Sequence, residues 1–224
     1  MKQAKPQVRD PEATKLRILA AATQEFAKFG LGGARVDHIA ARAKSNKRML
    51  YHYFGNKDAL FAITVENAYS QFREQEAALQ LDSLDPVTAI RRLVSFIWDY
   101  FIKHPEFITL VNSENLHKAK HLKASKRNTD MSRKFVARMQ ALLSRGEVSG
   151  VFRHGLDPVQ VNISVAAIAY YYLTNRFTGS IIFERDLMAK DALADRLTFN
   201  TSTVLRMVCT AEEIARLEKS GGLA

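Results

Sequence analysis

Most of what would anchor, staple or chemically arm a protein is missing from this 224-residue chain. Its one cysteine, Cys209, allows no intrachain disulfide, so a reducing cytoplasm is the expected location and the thiol reads as a small buried apolar group. The most apolar run, residues 165–173, is too short and too closely flanked by polar residues to span a bilayer. The opening MKQAKPQVRD lacks the apolar core of a signal peptide. No nucleophile elbow, glycine-rich phosphate loop or cysteine cluster occurs, and neither strand-like alternation nor an internal repeat is visible. Acids are scarce relative to bases, with 23 Asp or Glu against 33 Lys or Arg and a net charge of +10.

That surplus is concentrated at one end. Residues 1–60 hold 12 Lys or Arg against 5 Asp or Glu, or +7, while the remaining 164 hold 21 against 18, or +3. A basic segment of this kind is the electrostatic footprint of a polyanionic partner.

Within it, residues 35–54 read RVDHIAARAKSNKRMLYHYF. Val36, Ile39, Ala40 and Ala43 recur at spacings of three and four, which makes one apolar stripe of a short helix. Lys44, Ser45 and Asn46 interrupt the stripe, and Asn46 can cap a second helix. There Leu50 and Phe54 face inward, leaving Lys47, Arg48, Tyr51, His52 and Tyr53 to point elsewhere. Two helices joined by so short a turn can present the second to a major groove, its first residues at base edges and its flanks on phosphates. A guanidinium can bond guanine O6 and N7 bidentately, so Arg48 is assigned to reading and Tyr53 to positioning. The competing readings are that Tyr51 and Tyr53 pack on the first helix and that Lys47 and Arg48 form a solvated basic face.

LYHYFGNKDAL, preceded by HIAARA, resembles the helix-turn-helix signature of the TetR (tetracycline-repressor) family of bacterial transcription regulators. The aromatic YHYF run followed by Gly, a cap residue, Lys, an acid and Leu is its most specific part. The resemblance implies a homodimer whose N-terminal helices bind double-stranded DNA and whose C-terminal helices bind a small-molecule effector. Lys44 stands where the family usually has Gly, Ser45 where a small apolar residue is usual, and Arg35 where a capping Thr is common. A left-handed Lys44 would be strained by on the order of 1 kcal/mol.

The expected fold is all-α, an N-terminal three-helix helix-turn-helix head joined to an antiparallel helical-bundle body. Residues 1–9 form a flexible basic arm, either a minor-groove reader or a solvated tail. Residues 10–60 form the head. It starts at Asp10-Pro11-Glu12, a capping carboxylate with Pro in the first turn, and continues through a stripe of Ile18, Ala22, Phe26 and Phe29 ended by Gly30. Gly55 ends the second reading helix and Asn56 caps the next, at whose N-terminus Lys57 can clamp a phosphate. The DNA-binding set is thus Ser45, Asn46, Lys47, Arg48, Tyr51, His52, Tyr53 and Lys57. Residues 61–217 form the effector-binding and dimerisation body, with helices expected at 87–103, 105–124, 128–149, 157–182 and 189–217, and residues 218–224 form a flexible tail. The HPEF and DP helix starts in this body loosely resemble the RutR-like branch of the family.

In the body, Asn112 and Asn115 lie in an otherwise apolar stripe with Ile108, Ala119 and Leu122. Buried amides need partners, so they either bond nearby groups or face a ligand. Trp98, Phe101, Tyr171, Tyr172 and Asn175 are the candidate co-liners, against the alternative that they are simply core. Glu114 and His117 form an E-x-x-H pair that could serve a helical-bundle metalloenzyme, but no second copy exists, so no metal and no cofactor are expected. A third alternative is a DNA-bound regulator controlled by a protein partner. Between Lys118 and Arg138 there are eight Lys or Arg and one acid, Asp130, read as a solvated face, or else as an attractor for an anionic effector or an extension of the DNA footprint. The 159–182 helix is apolar around most of its circumference, and a dimer partner is the ready cover.

Overall fold

The computed structural model describes residues 10–123 and 125–223. The proposed arm, residues 1–9, and the last residue of the proposed tail lie outside them. The fold is all-α, and among the described residues the one departure from helix and turn is an isolated antiparallel bridge between Phe152 and Cys209. The chain divides into two compact units: Met1–Tyr69 with Thr109–Lys126, and Ser70–Ile108 with Arg127–Ala224.

The first unit contains α1 (Pro11–Gly33), α2 (Val36–Arg42), α3 (Lys47–Phe54), the first part of α4 (Lys57–Ala77), the end of α6 (Pro105–Leu116) and α7 (Lys120–Lys123). The starts of α1, α3 and α4 are chemically marked. The Asp10 carboxylate accepts from the amides of Glu12 and Ala13, Asn46 Oδ1 from Met49 at 2.9 Å, and Asn56 Oδ1 from Ala59 at 2.8 Å. Ile18, Ala22, Phe26, Ile39, Leu50, Leu60, Phe61 and Leu110 share one core, with Phe26 and Phe61 edge to face at 5.1 Å. Phe29, placed on that stripe from its spacing, is instead 45% exposed. Helix α1 bends at Gly30, the residue after Phe29, whose φ is 64°, and continues to Gly33.

Arg35 starts α2 with no side-chain cap of its own. The buried Glu25 holds the residue before the helix instead: its Oε1 accepts from the Arg35 amide at 3.2 Å and faces His38 Nδ1 at 3.1 Å. In the turn that follows, Lys44 takes φ 50°. An L side chain there costs about 1–2 kcal/mol, partly offset because glycine loses about 0.5–1 kcal/mol more entropy on folding. Lys44→Gly is therefore expected to raise stability by about 1 kcal/mol, measurable as a shifted urea midpoint with an unchanged slope. An unchanged or lowered midpoint would show that Lys44 is unstrained.

The second unit holds the rest of α4, a 3-10 turn at Leu81–Ser83, α5 (Pro86–Lys103), the start of α6, α8 (Lys126–Val148), α9 (Pro158–Thr174), α10 (Arg176–Ile182), α11 (Lys190–Val208) and α12 (Ala211–Lys219). Helices α5, α9 and α11 pack on one another around Ile90, Leu93, Val94, Val161, Val165, Val204 and Leu205. Asp85 and Asp157 cap α5 and α9, each followed by Pro in the first turn.

Three helices expected as continuous are broken. Residues 105–124 split after Leu116 because Lys118 and Ala119 both take left-handed φ, 56° and 57°. Residues 157–182 split at Asn175, whose φ and ψ of −97° and 13° leave the helical range. Residues 189–217 split at Cys209, whose extended backbone bridges Phe152 while Arg153 donates its amide to Val208 at 2.8 Å. Burial pushes the Cys209 thiol up to about 11, which keeps it protonated and unreactive. Among the described residues no helix is long and apolar enough to cross a membrane.

Candidate nucleic-acid interface

Helix α3 is two-faced. Leu50 and Phe54 are buried in the head core, and Lys47, Arg48, Tyr51 and His52 are exposed. The apolar pair fixes how the helix sits, so the polar face is presented by rigid packing and not by a loop. Tyr53 packs half-buried against the core, with the Lys15 ammonium 5.6 Å from its ring centre. Tyr51 remains 45% exposed. The two tyrosines, equivalent as letters, therefore differ in place.

Charge on this face is arranged in pairs. Lys47 Nζ lies 3.1 Å from Asp37 Oδ2, and Arg35 lies 3.6 Å from the same oxygen. The hydrogen bond from Lys47 holds the Asp37 carboxyl below its usual range. Asp37 is thus an acid on the basic face that orients Lys47, a role the motif did not reveal. Lys57 donates to the carbonyls of Gly32 and Ala34 at 3.3 and 3.1 Å, closing the C-terminal end of α1. An ammonium has three donors, and these two carbonyls take two of them. Ser45 is half-buried, its amide bonded to Ala40 at 2.9 Å, and Asn46 has its Oδ1 engaged as a cap.

The candidate ligand residues scatter. Tyr171, Tyr172 and Asn175 line one cavity. Trp98 lies directly behind it, its ring 5.5 Å from Tyr172, and is itself buried. Phe101 is buried in an aromatic stack with Phe72 and Phe107. Asn112 and Asn115 belong to the first unit, and the amide of Asn115 donates back to the Val111 carbonyl at 2.9 Å. Their supposed common stripe ends with α6 at Leu116.

The E-x-x-H pair does not meet. Glu114 bonds His121, while His117 Nδ1 lies 2.7 Å from the Ser113 carbonyl. Among the described residues no group of three or more His, Cys, Asp or Glu is placed to hold a metal ion.

A short two-helix reader with a basic, aromatic outer face on an all-α body defines a helix-turn-helix DNA-binding protein. Residues 18–63 match the family model for bacterial regulatory proteins of the tetR family, and residues 86–204 match the tetracyclin repressor-like C-terminal domain. The chain is 40% identical over 208 residues to the HTH-type transcriptional repressor NicS of Pseudomonas putida, covering 92% of this chain and 98% of that one. It is 43% identical over 108 residues to the HTH-type transcriptional repressor SCO4008 of Streptomyces coelicolor, covering 48% and 53% of the two chains. The crystal structure of SCO4942 from Streptomyces coelicolor superposes with a TM-score of 0.68 at 25% identity, over 87% of this chain and 98% of that one. The chain belongs to the TetR family; it is a DNA-binding transcription regulator and not an enzyme.

Proposed function

We propose that the protein is a ligand-responsive repressor that binds a palindromic operator as a homodimer in the cytoplasm, with Arg48 as its principal base reader. The observation that carries this is the exposed set Lys47, Arg48, Tyr51 and His52 on a helix whose other face is locked in the core. Ser45, Asn46, Tyr53 and Lys57 set its register and the backbone around it.

A second copy is supported by apolar groups left uncovered on α9 and α10 outside the cavity beside Tyr172. Ile163, Phe177 and Ile181 are each more than half exposed. Single exposed apolar residues are ordinary, but a patch of this kind calls for a cover. A two-fold copy supplies it and gives two α3 helices for two half-sites. The cavity beside Tyr171, Tyr172 and Asn175 supports effector binding. Regulation then follows from linkage: an effector that prefers the DNA-incompetent state weakens operator binding by its differential affinity for the two states.

The test is binding of the purified protein to DNA from its own upstream region across a salt series, beside Arg48→Ala. The wild type is expected to bind steeply salt-dependently with two chains per site. The variant is expected to lose about 1–3 kcal/mol, or roughly 5- to 150-fold, together with its sequence preference. Equal affinity and equal preference in the variant would remove Arg48 as a reader. One chain per operator would remove the dimer.

A further inference from the structure

The cavity of about 500 Å³ lined by Tyr171, Tyr172, Asn175, Leu187 and Arg196 is large enough for a small organic molecule. One wall is tied down at Tyr172. The Tyr172 hydroxyl donates to the Leu187 carbonyl at 2.8 Å, and its ring meets Trp98 edge-on. Gly179 closes part of the lining, where an added Cβ would come within 2.8 Å of Leu187 Cδ1.

Arg196 is the group in this cavity that lacks an answer. Its guanidinium carbon lies 5.2 Å from the Tyr172 ring centre and 5.0 Å from that of Phe199. One terminal nitrogen reaches the Ile168 carbonyl only at 3.4 Å, and the buried Nε has no hydrogen-bond partner. The acids around it are engaged elsewhere: Asp195 lies 3.2 Å from Arg185, and Asp186 accepts from the Met188 amide at 2.8 Å. Burial weakens the hold of Arg196 on its proton, yet a guanidinium stays charged at neutral pH. A half-buried cation without a counter-ion is costly, and a planar fork between aromatic walls matches a carboxylate on a flat or apolar body.

We propose that this cavity binds a small organic carboxylate, held by Arg196 and covered by the rings of Tyr171 and Tyr172. The identification rests on the ligand-responsive reading above and names the chemical class of the effector. It predicts that charge, not shape alone, selects the ligand.

The experiment titrates the full-length protein with benzoate, phenylacetate and hexanoate, each beside its neutral amide. Binding is read by calorimetry and by the fluorescence of Trp98, the single tryptophan of the chain. At least one acid is expected to bind saturably, with its amide tenfold weaker or more. Arg196→Gln should lose at least tenfold for that acid while keeping operator affinity, and Arg196→Lys should fall between. Binding of no acid at millimolar concentration, acids and amides binding equally, or Arg196→Gln binding as the wild type would each overturn the proposal. The acid and amide comparison on the wild type stands even if the variants fold poorly. A neutral compound that releases DNA while no acid binds would sink the carboxylate and leave ligand response intact. An acid bound through Arg196 without change in DNA affinity would do the reverse.

Discussion

Glu114→Ala is expected to lower the stability of the first unit by about 3–5 kcal/mol, the usual loss on breaking a buried, hydrogen-bonded ionisable pair. The carboxylate is 2% exposed and accepts from the backbone amides of His121 and Leu122 at 2.8 and 3.0 Å. It also meets His121 Nδ1 at 2.6 Å, and that imidazole is itself buried, 5.0 Å from the Phe61 ring. Truncation therefore orphans three donors at once, each worth about 1–3 kcal/mol when buried without a partner. Any relief of the left-handed strain at Lys118 and Ala119, two successive residues with a Cβ, offsets only part of that loss. Because Leu122 packs against the head core, losing this clasp should loosen the platform under α3 and weaken operator binding as well. Glu114→Gln, which keeps one acceptor oxygen, should cost clearly less. Urea unfolding followed by circular dichroism measures both, and a loss under 1 kcal/mol for the alanine variant would show that the clasp contributes little.

Gly146→Ala is expected to destabilise the second unit by about 3 kcal/mol, the upper part of the range for overpacking, or roughly 6–12 °C in Tm. An alanine methyl at this point of α8 would fall 1.9 Å from Cδ2 and 2.4 Å from Cγ of Phe152. The ring cannot step aside easily. Phe152 is 2% exposed, its amide donates to the Gly146 carbonyl at 3.0 Å, and its backbone pairs with Cys209. Arg153 holds the same junction through its guanidinium, which donates to the Cys209 carbonyl at 2.9 Å. A Gly146→Ala, Phe152→Leu double variant should recover part of the loss, since the two changes act in one space. Calorimetric melting of the three variants decides it: additive losses would mean that the methyl and the ring do not collide.

The parts of this fold that were legible are those written in local chemistry. Asp10, Asn46 and Asn56 are caps in the structure as they are in the string, and the three-and-four spacing of Val36, Ile39, Ala40 and Ala43 buries all four. The breaks after Leu116 and at Cys209 were not legible, because neither is made by Gly or Pro. The first is imposed by a carboxylate on the next turns, the second by pairing with a residue 57 positions earlier, and spacing carries no sign of either. Phe29 shows the opposite error, a periodic position that ends up exposed at the last residue before the bend at Gly30. On α3, Lys47, Arg48, Tyr51 and His52 emerge exposed as their spacing implies, but the donors of Lys57 turned to Gly32 and Ala34 could be seen only once the end of α1 was in place. Arg196 reads in the sequence as one more surface charge. Its significance comes from two rings, Tyr172 and Phe199, that the fold alone brings to it.

The assignment of Thr109–Lys126 to the first unit has a consequence for how such regulators can be recombined. The head is not a contiguous cassette. Leu110 belongs to its core and Leu122 packs on it, so a hybrid joined after residue 60 would pair a new reader with part of the old head's interior. It would also divide α4, which runs unbroken from Lys57 to Ala77. If α3 is the reading helix as proposed, exchange of DNA specificity without loss of folding calls for replacing two stretches of chain together, or for changing only the outward side chains of α3.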